Sequence, residues 1–285
     1  MKNSIALVTD SAANLPAEVA GELGILVAPG SYAFDDERVV EQASALPKMF
    51  ERMRETGEAP RTFGPTEAAW TGAFLAGLER ADSVLCLVTP FDVSSSFTTA
   101  SAAMLAIQFD RPEARIKVVN PGVGSVGLAS LLTSLSQCAG TQRIEDALES
   151  IEALEPASDA LFVPGSTAWL ERSGRLALIE ERLGELDGAC PVLRAGTRLT
   201  GVSRAETFDD ALQAAATAVA VRAGLGRPLV VTIAHADAPA SADRAVELVG
   251  AGHPGARVVV SNLAATIGAQ LGPGTVGIGV APGRV

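Results

Sequence analysis

The 285-residue sequence predicts an α/β protein of two domains. The first is a mostly parallel βα domain over residues 1–155, and the second an α+β domain with a mixed, partly antiparallel sheet over residues 156–285. Three observations carry this expectation. In the first half, short apolar runs bounded by turn formers alternate with helix-length segments, the pattern of βα units with parallel pairing. In the second half, two strand-like runs follow one another around Gly196-Thr197 and read as a hairpin, hence as antiparallel pairing. Between the halves, Glu155-Pro156-Ala157-Ser158 marks the change of pattern.

Ile5-Ala6-Leu7-Val8-Thr9 reads as the first strand and ends in Asp10-Ser11. Leu15, Val19 and Leu23 share one helix face, with Asn14 as the expected N-cap, Pro16 in the first turn and Gly24 at the end. Residues 25–28 give a second strand. Residues 46–55 and 66–78 look helical, with Pro60-Arg61-Thr62-Phe63-Gly64-Pro65 as the loop between them. Ser83-Val84-Leu85-Cys86-Leu87-Val88-Thr89 is short and apolar, a strand covered on both faces. Pro90 ends it, residues 97–109 form a helix, and residues 115–119 form a strand, followed by helices near 125–139 and 142–154. Strands are then expected at 160–163, 191–195, 198–203, 229–234 and 256–260, and helices near 166–172, 176–184, 208–223 and 240–250. Gly272-Pro273-Gly274 is a tight turn feeding a last strand that runs to Val280.

Composition excludes several classes. A formal net charge of −11 argues against a nucleic-acid partner, since phosphate binding draws on clustered Lys and Arg. Tyr32 is the single tyrosine and aromatics are scarce, so base-stacking platforms are not expected. Mean hydropathy is positive, yet no apolar run approaches the roughly 20 residues a membrane helix needs. The N-terminus runs straight into the first strand without a signal-peptide core, which predicts a cytoplasmic protein. Cys86, Cys138 and Cys190 are isolated and odd in number, so buried small hydrophobes are expected rather than disulfides or a metal site.

Several residues invite a chemical reading beside a plain one. Ser94, Ser95 and Ser96 stand where a buried strand hands over to a helix. They read as a helix cap, or as an anion site at the C-terminal edge of a parallel sheet. Asp10, at a strand end, reads as a Mg²⁺ ligand or nucleophile, or as a turn residue bonding its own backbone; no second Asp two residues on completes a metal pair. Gly122, Gly124 and Gly127 match GxGxxG, but two helices follow where a dinucleotide fold needs a second parallel strand. His235 and His253 lack any metal or triad frame. Arg172 and Arg175 bracket Ser173-Gly174, as cations at a helix end or as groups presented on a turn to an anion. From these residues alone, an α/β enzyme acting on a phosphorylated or nucleotide ligand stays open as the alternative function.

Taken in order, the motifs resemble those of the DegV family of fatty-acid-binding proteins, which includes the B-type subunits of bacterial fatty acid kinase. Val8-Thr9-Asp10-Ser11-Ala12-Ala13-Asn14-Leu15-Pro16 resembles the opening VTDSTADLP, and Pro60 through Thr66 the PxTSQPS loop. Val93-Ser94-Ser95-Ser96-Phe97-Thr98-Thr99-Ala100 resembles LSGTYQSA, and Val119 through Gly127 the VDSxxxSxGxG segment. Leu170-Glu171-Arg172-Ser173-Gly174-Arg175-Leu176 resembles LxxGGRI, and Gly272-Pro273-Gly274 the terminal HTGPG.

The resemblance implies a non-enzymatic, cofactor-free, DegV-like two-domain protein. It would hold a long-chain fatty acid such as palmitate or oleate between the domains and present the carboxylate to an ATP-dependent kinase partner, for acyl phosphate and phospholipid synthesis. Carried over residue by residue, Ser94 and Thr62 are the carboxylate contacts, with Ser95 and Ser96 offering backbone N–H groups beside them. Gln270 stands where the family has its terminal histidine; it donates an amide hydrogen bond but supplies no cation. Arg175 and Arg204 fall where the family has arginines facing the kinase step and partner. No metal is implied, and a monomer is the default expectation.

Overall fold

The computed structural model describes residues 4–90, 94–137, 139, 143–224 and 227–283. In chain order, the first half runs β1 (Ile5–Asp10), α1 (Ala17–Glu22), β2 (Leu26–Ala28), β3 (Ser31–Phe34), β4 (Glu37–Val40), α2 (Leu46–Thr56), β5 (Arg61–Phe63), α3 (Glu67–Arg80), β6 (Ser83–Leu87), α4 (Ser96–Asp110), β7 (Ile116–Val119), α5 (Ser125–Ser136) and α6 (Ile144–Leu154). After a 3-10 turn at Glu155–Ala157 come β8 (Asp159–Val163), α7 (Ala168–Arg172), α8 (Leu176–Leu183), β9 (Cys190–Ala195), β10 (Leu199–Ala205), α9 (Phe208–Ala223), β11 (Leu229–His235), α10 (Pro239–Gly252), β12 (Arg257–Asn262), α11 (Ala265–Leu271) and β13 (Val276–Pro282).

Three sheets organise these elements. The first is parallel throughout, in the order β2-β1-β6-β7. The second is mixed, in the order β10-β9-β8-β13-β11-β12, with β9 and β10 forming the expected antiparallel hairpin. The α/β class read from the sequence is therefore the one observed. A third, antiparallel sheet, β4-β3-β5, had no counterpart in the sequence reading. Its β5 occupies Arg61–Phe63, inside the segment expected to be a loop.

Side-chain alternation explains how the layers stack. Ala6, Val8, Val84 and Cys86 point to the face covered by α3 and α4, where they join Trp70, Phe74, Ala100 and Ala103. Ile5, Leu7, Leu85 and Leu87 point the other way, into the cluster that holds Leu128, Leu131 and Leu132 of α5 and Ile144 and Ile151 of α6. On β13, Val276, Ile278 and Val280 join α9 and α10 residues on one side of the mixed sheet. The alternating Gly277 and Gly279 face the other side, and a side chain at Gly279 would collide with the backbone of Val126. Helix α5 thus lies between the two large sheets, buried at every residue from Ser125 to Leu135. That burial accounts for its near absence of a polar face. Most of its hydroxyls are spent internally, with Ser130 Oγ 3.0 Å from Thr232 Oγ1 and Ser134 Oγ donating to the Pro282 carbonyl at 2.7 Å, while the buried Thr133 Oγ1 finds no partner among the described residues.

Asn14 differs from expectation. It does not cap α1, whose N-cap position is Pro16; it sits in the left-handed region at φ 61° after a 3-10 turn, Ser11–Ala13. Its amide donates to the Ala12 carbonyl at 2.7 Å and to Ser125 Oγ at 2.6 Å, while its Oδ1 accepts from the Ala264 N–H at 2.5 Å. Asn tolerates this backbone region and replaces a capping role with a latch between β1, α5 and the start of α11. Glu41 completes the latch, accepting from the Ala265 N–H and from Ser11 Oγ, each at 3.1 Å. Cys86 is buried in the core, Cys190 is half-buried, and Cys138 lies outside the described residues. No helix among the described residues is long and apolar enough to cross a membrane.

Candidate functional site

The strand order of the parallel sheet locates a crevice before any side chain is considered. From β1 the chain moves outward to β2, and from β6 it moves in the opposite direction to β7. Open α/β sheets bind ligands outside the carboxyl ends of the strands at such a reversal, here between β1 and β6. Asp10 ends β1, Thr89 follows β6, and Ser94-Ser95-Ser96 lead into α4 at the same edge.

A cavity of about 370 Å³ opens there, and it brings Thr62, Ser94 and Ser95 together. The antiparallel sheet and α11 form its cover: Thr62 from β5, Arg38 from β4 and Thr266 from α11 line the same space. Gly64 sits directly over the serines. A Cβ built on it would lie 3.1 Å from Ser95 Oγ, 3.4 Å from Ser94 Oγ and 3.5 Å from Ser96 Oγ. Among the described residues, none that lines this cavity is acidic, although the chain carries a net charge of −11. Hydroxyl donors with one guanidinium and no carboxylate form an anion-compatible surface.

The serine turn caps α4 from Ser94 rather than from the N-cap residue Ser95, whose side chain makes no capping bond. Ser94 Oγ accepts the Ser96 N–H at 3.1 Å, which satisfies one of the amides left open at the start of α4. That amide is accordingly not free for a ligand, contrary to the role expected of Ser96. Ser94 Oγ also pairs with Ser96 Oγ at 2.8 Å and faces the cavity. Ser96, fully buried, lies near the carboxyl of Asp10 and favours its ionised form. Asp10 accepts from Thr89 Oγ1 at 2.8 Å and the Thr89 N–H at 3.3 Å. Burial pushes the Asp10 carboxyl above its ordinary range, against the pull of Ser96, Thr89 and Ala12. Burial likewise raises Glu41.

The other expected residues are placed as follows. Gln270 lies one turn beyond Thr266 on α11, and its amide donates to the Thr266 carbonyl at 3.0 Å. Arg175 is half-buried at the start of α8, donates to the Ser173 carbonyl at 3.1 Å, and is shifted below the ordinary arginine value by burial. Arg204 donates to the Glu185 carbonyl near the other end of α8. Helix α8 separates the two by about 12 Å at 1.5 Å per residue, so they flank one helix rather than the serine cavity.

Arg38 and Thr266 went unread in the sequence. Arg38 donates to Ser31 Oγ at 2.8 Å, and its guanidinium lies 4.4 Å from the centre of the Phe63 ring. The signal for it was a hairpin: Tyr32-Ala33-Phe34 and Glu37-Arg38-Val39-Val40 flank the two-residue turn Asp35-Asp36, with Asp35 at φ 50°.

The remaining motifs serve the fold. Gly122 takes φ 69°, and a Cβ on Gly127 would come within 2.6 Å of the Asp159 carbonyl, so this glycine run packs α5 against the 3-10 turn and β8. His235 Nδ1 accepts the Ala238 N–H at 3.2 Å. No group of three or more His, Cys, Asp or Glu among the described residues is placed to hold a metal ion.

Comparison with known proteins agrees with this architecture. The model of the DegV family, described as uncharacterised protein, matches residues 4–283. Protein DegV of Bacillus subtilis is 25% identical over 283 residues, covering 96% of this chain and 98% of its own. A Thermus thermophilus DegV family protein, solved in a study of its fatty acid binding, superposes with a TM-score of 0.84 at 26% identity, over 98% of this chain and 99% of that one. The crystal structure of Bacillus subtilis DegV, a fatty acid binding protein, superposes with a TM-score of 0.82 at 22% identity, over 98% and 99% of the two chains, and supports the fold. With one family model spanning both large sheets and the switch-point crevice of the parallel sheet, the chain belongs to the DegV family.

Proposed function

We propose that this protein binds a long-chain fatty acid, with the carboxylate held by Ser94, Thr62 and Ser95 and the tail entering the seam between α11 and the antiparallel sheet. The observation that carries this reading is the cavity at the switch point, whose described lining gathers the hydroxyls of Thr62, Ser94 and Ser95 with Arg38 and no acid. The Thermus relative's fatty acid binding supports the ligand class. Beyond the cavity the seam is apolar: Tyr32, Phe34, Met49, Phe50, Ile267 and Leu271 are buried in one cluster. Met49 contributes an unbranched thioether that repacks readily around an inserted chain. Each CH₂ taken from water contributes about 0.8 kcal/mol, so the tail sets affinity and the polar cavity sets orientation, with ligand ordering opposing the sum.

The finer reading is that the bound acid is presented to a fatty acid kinase partner, in the cytoplasm, by a protein that is a carrier rather than a catalyst. Arg175 and Arg204, at the two ends of α8, are its partner-facing residues. Domains at 1–155 and 156–285 would then meet around α5 and the cavity cover. Gln270, with its amide spent on Thr266, offers the carboxylate no cation, which favours holding the acid over activating it. The test compares Ser94→Ala combined with Thr62→Ala against Arg204→Ala in titrations with oleate. Hydrogen bonds to a charged group contribute about 1.5–3 kcal/mol each, so the double variant is expected to bind at least tenfold more weakly. Arg204→Ala is expected to bind as the wild type does. Equal losses in both would refute the assignment of the head-group site.

A further inference from the structure

On the fatty acid reading, on which this inference rests, a carboxylate leaves water and needs compensation by charge as well as by hydroxyl donors. Gln270 supplies no charge, and its amide is already bonded to the Thr266 carbonyl. Among the described residues that line the serine cavity, Arg38 is the one that carries a charge. Its placement follows from the register of the antiparallel sheet. Arg38 of β4 stands opposite Ala33 of β3, and Ser31, two residues back on β3, stands opposite Phe63 of β5. Successive side chains alternate between faces, so Arg38, Ser31 and Phe63 share one face of this sheet. Arg38 reaches across that face. Its Nε donates to Ser31 Oγ at 2.8 Å, and its guanidinium lies 4.4 Å from the centre of the Phe63 ring. The next residue, Gly64, sits directly over the three serines. The ring contact therefore carries the cation to the residue that adjoins the serine cover.

Two features separate Arg38 from an ordinary surface arginine. Ser31 and the Phe63 ring hold its side chain before any ligand arrives, so the ordering entropy that cancels most exposed ion pairs is already lost. Its Nη1 and Nη2 have no protein acceptor, and it joins no ion pair, among the described residues. This holds in a chain where Asp and Glu outnumber Lys and Arg by 33 to 22. We propose that Arg38 is the cation that receives the fatty acid carboxylate, a specificity residue through which the site selects the ionised acid over a neutral molecule with the same chain. Nη1 and Nη2 form a planar fork that matches a carboxylate. Hydroxyls donate and accept, so Ser94, Thr62 and Ser95 receive an alcohol as readily as an acid. Tail burial then sets affinity, the hydroxyls fix the position of the polar end, and Arg38 reads its charge.

The test compares two ligands that differ only at the polar end. Oleate and oleyl alcohol are titrated into delipidated protein at about pH 8.5, where a carboxylic acid is ionised, at low and at high salt. The wild type is expected to prefer oleate at least tenfold, with the preference shrinking at high salt. Arg38→Gln is expected to weaken oleate binding at least tenfold and to leave oleyl alcohol within about twofold of wild type. Arg38→Lys, which keeps the charge without the fork, is expected to recover part of the oleate affinity. Arg38 is exposed on the cover, so these variants are expected to fold. Equal losses for both ligands in Arg38→Gln would reduce Arg38 to a structural part of the sheet and overturn the proposal. Unchanged oleate affinity in Arg38→Gln would overturn it too, and in both cases fatty acid binding would stand. A wild type that binds the two ligands equally would overturn it without any variant. Wild-type protein that binds neither would overturn the fatty acid reading and this proposal together.

Discussion

Replacing Asn14 tests how the cavity cover is anchored, because one side chain ties three parts of the chain together. Asn14→Gly removes the bonds to Ala12, Ser125 and Ala264 but keeps a residue at ease at φ 61°. The Ala264 N–H loses its acceptor at a residue 1% exposed. A net loss of about 0.5–1.5 kcal/mol for each of two bonds, with about 1–3 kcal/mol for the Ala264 amide left buried and unpaired, gives a destabilisation of about 2–6 kcal/mol. At about 2.1 cal/mol/K per residue, that corresponds for 285 residues to a fall in Tm of roughly 3–10 °C. Asn14→Ala adds the left-handed backbone penalty of about 1–2 kcal/mol, so alanine is expected to be worse than glycine. Urea denaturation gives the free energies, and hydrogen exchange at Ala264 and Ala265 reports the local anchor. Both amides are expected to exchange faster in Asn14→Gly. A glycine variant within about 0.5 kcal/mol of wild type, with unchanged exchange at Ala264, would refute the latch.

The other predictions concern the site and its acids. Gly64→Val places methyl groups among three serine hydroxyls that already lie 3.1–3.5 Å from the Cβ position, at a backbone conformation that strains no side chain. Crowding of about 1–3 kcal/mol against a bound head group predicts oleate binding weakened roughly 5- to 150-fold; unaltered affinity would move the head group elsewhere. Glu41 is raised by burial, so the folded state holds its proton more tightly than the unfolded chain. The stability this contributes is complete below the unfolded value near 4.5 and is lost as pH rises through the raised folded value. Urea midpoints of Glu41→Gln are therefore expected to fall less than those of wild type between about pH 4.5 and pH 7.5. Each tenfold difference in proton affinity between the folded and unfolded chains contributes about 1.4 kcal/mol to that gap; parallel profiles would contradict the assignment.

How much of this was legible in the sequence follows from burial. The strand at Ser83–Leu87 and its helix were readable because an uninterrupted apolar run between turn formers has few other interpretations. The antiparallel sheet was not. Its β4 is largely exposed and its β5 three residues long, so neither shows the alternation that marks a half-buried strand. Helix α11 was missed for the opposite reason: it is buried nearly all round, and Gly268, which reads as a breaker, is the seat of the Phe50 ring, 2.6 Å from a Cβ placed there. The cavity inherited both gaps. Thr62 and the serines came from motif resemblance, whereas Arg38 and Thr266 sit on the two elements that periodicity could not reveal. Asn14 was misassigned because a preferred cap residue beside a proline also suits a left-handed turn, and nothing local separates the two.

The central claim is that the switch-point cavity holds a fatty acid carboxylate, and extraction tests it most directly. Protein purified without added lipid, extracted into organic solvent and analysed by mass spectrometry, is expected to release close to one long-chain fatty acid per chain, and the Ser94→Ala, Thr62→Ala double variant far less. Wild-type protein that comes empty, and that after delipidation takes up neither palmitate nor oleate, would contradict the account.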